Sequence, residues 1–317
     1  MLVQISALTR DNSLLSESTI SPPEAVSAYL EASISANTRR AYRCDMAHFT
    51  AWGGTIPATP EAVAQYLAEY AEALTVATLS RRLVAIGKAH TMQGLPNPGS
   101  SDLVRMTMRG IRRTWGKPQR QAAAAIKEDV LAMVGGMGTS VKDIRDRALI
   151  LIGFAGAFRR SELVGLDVSD IEHVSQGIII HLRRSKTDQD GRGRKVAIPF
   201  ARGTVCAVFS LTAWLEAAGI TEGPVFRPVD RHGHVAETRL SGKAVAVVVK
   251  TRAEAAGLDP ARYSGHSLRA GLATSAAAAG VPTYKIRQQT GHASDAMLGR
   301  YIRDGGLFWG NVVHVLL

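Results

Sequence analysis

Cysteine is almost missing from this chain. Cys44 and Cys206 are the two in 317 residues, which excludes a disulfide framework and a cysteine-rich zinc module. No run of 18 apolar residues occurs, so a membrane-spanning helix is not expected. The first residues lack the apolar core of a secretion signal, and the expectation is a soluble, cytoplasmic protein. Nucleotide-driven chemistry finds no support either. Gly87-Lys88, Gly116-Lys117 and Gly242-Lys243 all lack the glycine that a phosphate-cradling loop places five residues upstream. His232 and His234 stand two apart without a third ligand nearby, so no metal site is predicted. Acidic residues are also in deficit: 27 Asp and Glu face 38 Lys and Arg, a formal charge of +11. That balance favours a polyanionic partner, with nucleic acid ahead of an anionic membrane.

What is present is mostly helical pattern. Residues 1–20 are polar and read as a flexible leader. Ser21-Pro22-Pro23-Glu24 opens a helix running to about Ser33, and Asn37 or Thr38 caps a second one. Further helices are predicted from Thr59, over Thr75–Gln93 and over Ser101–Trp115, from apolar residues at helical spacing. Their polar faces carry Arg39, Arg40, Arg43, Arg81, Arg82, Lys88, Arg112 and Arg113. Such residues are most often simply solvated. Here clustering at helix starts favours phosphate contact, because guanidinium groups and helix N-termini both suit phosphate oxygens. Residues 21–115 therefore read as a helical DNA-binding bundle, and 116–124, with Gly116 and Pro118, as a linker. The linker is long enough for two domains to close around a duplex.

Residues 125–317 read as a second, α+β domain. Ile126–Met133 and Val141–Ala155 are helical, the latter apolar on nearly all sides and hence buried. It ends at Gly156-Ala157-Phe158, followed by Arg159-Arg160-Ser161-Glu162. An arginine at a buried helix end needs an anion or a carboxylate, and Glu162 is the local candidate. A strand near Val168–His173, then Ile178–Leu182 and Lys195–Ile198, make a small antiparallel sheet. Lys186 lies in the hairpin loop between the last two. Arg202–Ala218 and Leu240–Ala256 are further helices. His266 and Arg269 are three apart and share one helix face, His292 opens a short helix after a Thr-Gly turn, and Tyr301 follows nine residues later. A tyrosine is a poor nucleophile at its free pKa of about 10, and becomes a useful one against a phosphorus clamped by cations.

Ser264-Gly-His-Ser-Leu-Arg-Ala-Gly271, Gln289-Thr-Gly-His292 and Gly299-Arg-Tyr-Ile-Arg303 resemble the C-terminal half of the tyrosine recombinase (phage integrase) family. The resemblance extends upstream to Arg159 within its Ser-Glu-Leu context and to Lys186 in a Lys-Thr pair. The family usually has an apolar residue where Arg160 stands. The resemblance implies a mainly α fold with a small antiparallel sheet: an N-terminal SAM-like core-binding bundle and a C-terminal catalytic domain ending in an interaction segment. It implies a site-specific DNA recombinase that works through a 3′-phosphotyrosyl intermediate, with Tyr301 as nucleophile. Arg159 and Arg269 would hold the non-bridging oxygens, and Lys186 would protonate the leaving 5′-oxygen. His266 would handle the tyrosine proton, His292 would hydrogen-bond the phosphate, and Glu162 would support Arg159. No metal or nucleotide cofactor is implied. The partners would be a double-stranded recombination site and three further copies in a tetrameric synapse at the nucleoid, with accessory proteins left open. The absence of an extra N-terminal arm-binding domain favours a simple recombinase. A type IB topoisomerase-like enzyme, a catalytically silent DNA-binding regulator and a merely basic helical scaffold are the competing readings.

Overall fold

The computed structural model describes residues 29, 33–117, 121–183, 193–201, 203, 205–292, 294–296 and 298–299. Its contacts divide the chain into two units, Met1–Gln119 and Arg120–Leu317. In the first unit four helices are described: α1 (Ala36–Ala51), α2 (Pro60–Glu69), α3 (Val76–Met92) and α4 (Asp102–Trp115). Each is preceded by a hydroxyl residue, Ser35, Thr59, Thr75 and Ser101, whose oxygen accepts an N–H from the first turn. This satisfies a donor that the helix itself leaves unpaired. Phe49, Tyr66, Leu67, Leu79, Ile86, Val104 and Met108 close the core between them.

That core also encloses charge. Asp45 is 1% exposed and receives Arg81 through Nε and Nη2 at 2.7 and 2.8 Å. Arg82 stands 3.7 Å from the same carboxylate. Its Nη1 donates to the Tyr66 hydroxyl at 3.0 Å and to His48 Nδ1 at 2.8 Å. Burial, and then the Arg82 charge, hold His48 below the ordinary imidazole value. The expectation that Arg82 faces DNA is therefore corrected: its guanidinium is buried and engaged inside the bundle. Helical spacing alone put it beside Arg81 on a polar face, and the buried Asp45 is what draws it inward.

The second unit is built around α6 (Val141–Ala155), with Leu149, Ile150 and Ile152 all buried. α5 (Lys127–Gly135), α8 (Ala207–Ala217), α9 (Gly242–Ala255) and α10 (Ser267–Ala278) pack against it. The short α7 (Arg160–Gly165) follows it, and α11 (Thr283–Thr290) follows α10. Strands β1 (Ile171–Val174), β2 (Gly177–Leu182) and β3 (Arg194–Pro199) form an antiparallel sheet in that order. Ile180 pairs with Ile171 and Val196, and Leu182 with Arg194. Ile178, Ile180, Val196 and Ile198 are buried in the same core as α6. Residues 123 and 125 bind the far end of the unit: Ala123 N–H donates to Arg262 and Ala125 N–H to Ser267 at 2.7 and 2.9 Å. A side-chain carbon at Gly271 would lie 1.6 Å from the Ala125 carbonyl oxygen, so only glycine lets α10 approach this closely.

The mainly helical fold with a small antiparallel sheet is as expected. Val168–Asp170 form a 3-10 turn, fastened by the Asp167 N–H on the Asp170 carboxylate, so β1 begins at Ile171. The helix expected from Arg202 begins at Ala207. The expected helix at 21–33 falls almost wholly outside the described residues, as do the 1–20 leader, Lys186, Tyr301 and the C-terminal segment 307–317.

Asp45→Ala would leave the buried Arg82 without its counter-charge, which typically costs about 3–5 kcal/mol. Hydrogen exchange should therefore quicken across α1–α3 while α5–α11 keep their protection. Unchanged exchange in α1–α3 would show that Arg82 needs no partner.

Candidate active site

Arg159 ends the turn after α6 and is the residue before α7. Its backbone N–H donates to Glu162 Oε2 at 2.9 Å, and its Nη1 reaches Oε1 at 2.5 Å. Glu162 is buried, so one carboxylate both caps the helix and orients the guanidinium. Arg194, the first residue of β3, approaches the other oxygen of Glu162 at 3.6 Å. Arg194 also donates from Nη1 to the Gln289 carbonyl at 2.7 Å, and burial pushes its guanidinium below the ordinary value. Gly291 lies against this guanidinium. Its φ is +66°, and a side-chain carbon there would stand 2.9 Å from Arg194 Nε, so both conformation and space require glycine.

Arg269 is 1% exposed. It occupies the first turn of α10 and donates from Nη1 to the carbonyls of Ala157, at 2.8 Å, and of Thr290. Ala157 adopts φ +48°, a left-handed conformation that costs an alanine about 1–2 kcal/mol. That strained turn presents its carbonyl to Arg269, an arrangement often met at functional sites.

The two histidines stand close to these cations. His266 immediately precedes α10 and retains an exposed edge. Desolvation, then Arg269, Arg159 and Arg160, lower its pKa. His292 is buried just past Gly291, and its Nδ1 lies 2.7 Å from the Thr290 hydroxyl. Burial first, then Arg269, Arg159, His266 and Arg194, bring its pKa down to about 4. Both rings are thus neutral at pH 7. His292 contributes to stability in full above its unfolded value near 6.5, and this contribution is lost as pH falls toward 4. Arg160 is exposed and lays its stem over Gly265, next to His266.

Four of the six residues predicted to do the chemistry, Arg159, His266, Arg269 and His292, thus come together with Glu162, while Lys186 and Tyr301 lie outside the described residues. His292 lies in the turn after α11 and does not itself open a helix. Of the residues predicted to contact DNA, Arg40, Arg43, Lys88, Arg112 and Arg113 are exposed and Arg39 is half-buried. Arg81 is half-exposed and paired with Asp45. Among the described residues no three His, Cys, Asp or Glu side chains gather as a metal site. Sequence reading missed Arg194. Strand alternation held the signal, because Arg194 shares parity with the buried Val196 and Ile198.

Residues 126–305 match the phage integrase family. An integrase/recombinase xerD homolog of Selenomonas ruminantium is 41% identical over 295 residues, 90% of this chain and 86% of that protein. The recombinase cre of Escherichia phage P1 is 28% identical over 280 residues, 82% and 80% of the two chains. A lambda integrase tetramer bound to a Holliday junction shares the fold with a TM-score of 0.62 at 17% identity, over 88% of this chain and 75% of that one. With a relative this similar along nearly its whole length and a family match over more than half of it, the chain belongs to the phage integrase family, the tyrosine recombinases, which break and rejoin DNA strands at specific sites.

Proposed function

We propose that the cluster around Glu162 is the phosphodiester site of this recombinase and that Tyr301 is its nucleophile. The observation that carries this reading is a charge imbalance. Arg159 and Arg194 share one buried carboxylate, Glu162, Arg269 lies close by against the Ala157 and Thr290 carbonyls, and both neighbouring imidazoles are held neutral. Three cations against one anion leave a surplus that a phosphodiester would balance, and the surplus grows in value as the transition state gains a second negative charge. Arg159 commits Nη1 to Glu162, leaving the rest of its fork to grip a non-bridging oxygen. Arg269 lends its charge from beneath. Tyr301 attacks the phosphorus, forming the O–P bond of a 3′-phosphotyrosyl link as the bond to the 5′-oxygen breaks. His266 accepts the tyrosine proton and Lys186 donates one to the leaving 5′-oxygen. Attack by the free 5′-hydroxyl of another strand reverses these steps and completes the exchange.

The partner is a double-stranded recombination site, gripped through Arg39, Arg40, Arg43, Lys88, Arg112 and Arg113, with Arg160 reaching an adjoining phosphate. Four copies assemble on two such sites, and the apolar segment Leu307–Leu317 links neighbours. The protein works where the DNA is, in the cytoplasm at the nucleoid. Among the described residues no helix is long and apolar enough to cross a membrane.

The decisive experiment recovers DNA covalently attached to the protein from expressing cells and sequences it, which yields the site and the chemistry together. Tyr301→Phe should bind the recovered site with nearly unchanged affinity, since affinity comes mainly from phosphate contacts elsewhere, and should form no adduct. An adduct with the phenylalanine variant would remove Tyr301 from the mechanism.

On the same site, Arg159→Lys should slow cleavage on the order of 10²-fold or more, as for a lost transition-state donor, and Arg160→Lys far less. Equal losses would mean that the wrong arginine has been placed at the scissile phosphate. Deleting Phe308–Leu317 should leave a folded protein that binds half-sites but neither pairs cooperatively on the full site nor recombines. Gel shifts on half and full sites check this, and retained cooperativity would show that the segment does not join subunits.

A further inference from the structure

Thr290 and His292 form a pair whose protons can be counted. The Thr290 hydroxyl oxygen lies 2.8 Å from the Ile286 carbonyl oxygen and 2.7 Å from His292 Nδ1. A carbonyl only accepts, and a hydroxyl carries one proton. Were that proton aimed at Nδ1, two oxygens with no proton between them would face each other at 2.8 Å. Giving the hydroxyl proton to Ile286, and an Nδ1–H of His292 to the hydroxyl oxygen, places one proton in each contact. The neutral ring then carries its lone pair on Nε2. His90, in the first unit, shows the same tautomer with both partners visible: its Nδ1 donates to the Ile86 carbonyl and its Nε2 accepts the Ala58 N–H, each at 2.8 Å.

Among the described residues, charged and titratable groups from several elements surround His292. Arg269 stands on α10, His266 just before it, Arg159 ahead of α7, and Arg194 on β3. Together with burial they keep the ring neutral. A lone pair on Nε2 repels a phosphate oxygen, whereas an Nε2–H attracts it.

We propose that Thr290 fixes His292 in the Nδ1–H tautomer, so that the site takes up one proton at His292 Nε2 when a DNA phosphodiester binds. This rests on the reading above that the scissile phosphate enters here. The proton comes from solvent and forms an N–H bond. The resulting imidazolium donates Nδ1–H to Thr290 and Nε2–H to a non-bridging oxygen. When the phosphate leaves, the proton returns to solvent. Positive charge therefore enters the site in step with the negative charge it must hold, and the empty site is spared a further buried cation beside Arg269. Thr290 acts through the ring it holds and is a positioning residue. Thr290→Val keeps the shape and removes the acceptor, so the neutral ring turns to the Nε2–H tautomer and meets phosphate without taking up a proton.

Two measurements test this. Nitrogen-15 NMR of the DNA-free protein should show His292 protonated at Nδ1 and bare at Nε2, and the opposite pattern would overturn the proposal whether or not any variant folds. Calorimetry in buffers of different ionisation enthalpy then counts protons on binding, using the recovered DNA site and Tyr301→Phe to prevent cleavage. Adding Thr290→Val should reduce uptake by about one proton at neutral pH, while Thr290→Ser should leave it as in the parent. Equal uptake by the valine variant would sink the proposal. Absence of a covalent adduct with the unsubstituted protein would instead remove the phosphodiester reading, and the NMR result would stand apart from it.

Discussion

The buried guanidinium of Arg269 is the interaction on which the second unit depends. A fixed charge at 1% exposure survives only with compensation, since an isolated buried cation is costly. Its position on α10 worsens matters, because the first turn of a helix is already electropositive. The compensation comes from two other helix ends. The Ala157 carbonyl lies just beyond the end of α6, and Thr290 is the last residue of α11. Helix C-termini carry unpaired carbonyls and partial negative charge, so both ends gain from meeting the cation. One side chain thereby fixes the mutual placement of α6, α10 and α11. The strained turn at Ala157 and the left-handed Gly291 are where the chain bends to make this meeting possible.

Glu162 does the matching work on the other side. It sits between Arg159 and Arg194, so two guanidinium groups approach each other without direct repulsion between bare charges. Arg194 adds a bond to the Gln289 carbonyl, and the Gln289 side chain donates in turn to the carbonyls of Ala155 and Ala197 at 2.8 and 3.2 Å. The sheet, the end of α6 and the His292 turn are thus tied together. Donors held in this way are already oriented, which is the condition under which electrostatic stabilisation is most effective.

Much of this was legible in the sequence, for reasons that differ residue by residue. α6 could be bounded to the residue because a nearly all-apolar run can only be buried, and Ser140 and Gly156 mark its ends. His266 and Arg269 were legible as neighbours on one helix face, and their grouping with Arg159 and His292 came from the resemblance of their motifs to the tyrosine recombinase family. Arg194 was not legible as a site residue, since its partners Glu162 and Gln289 lie 32 and 95 positions away along the chain. Arg82 misled for a related reason. Helical periodicity predicts which face a residue occupies, not whether an aspartate from another helix waits there. The 3-10 turn before β1 was set by local hydrogen bonding that propensity does not encode.

The same lesson bears on the net charge of +11. It suggested a nucleic-acid partner, yet many of the arginines that compose it are spent internally. Arg145 and Arg252 share Asp146 inside the second unit. Arg81 and Arg82 share Asp45, and Arg239 holds Asp167. Arg239 and Asp167 use one cation and one anion and leave the excess intact, whereas Arg81 and Arg82 on the single Asp45 hold part of it themselves; either way, candidates for DNA contact are removed. The excess therefore falls on a smaller set of residues than the sequence count suggests. In the first unit these include the exposed Arg40, Arg43, Lys88, Arg109, Arg112 and Arg113, on three separate helices. In the second unit part of the surplus is concentrated around Glu162, where burial makes each unbalanced charge far more consequential than one in water. Net charge predicts that DNA binds, but burial decides which cations are left to bind it.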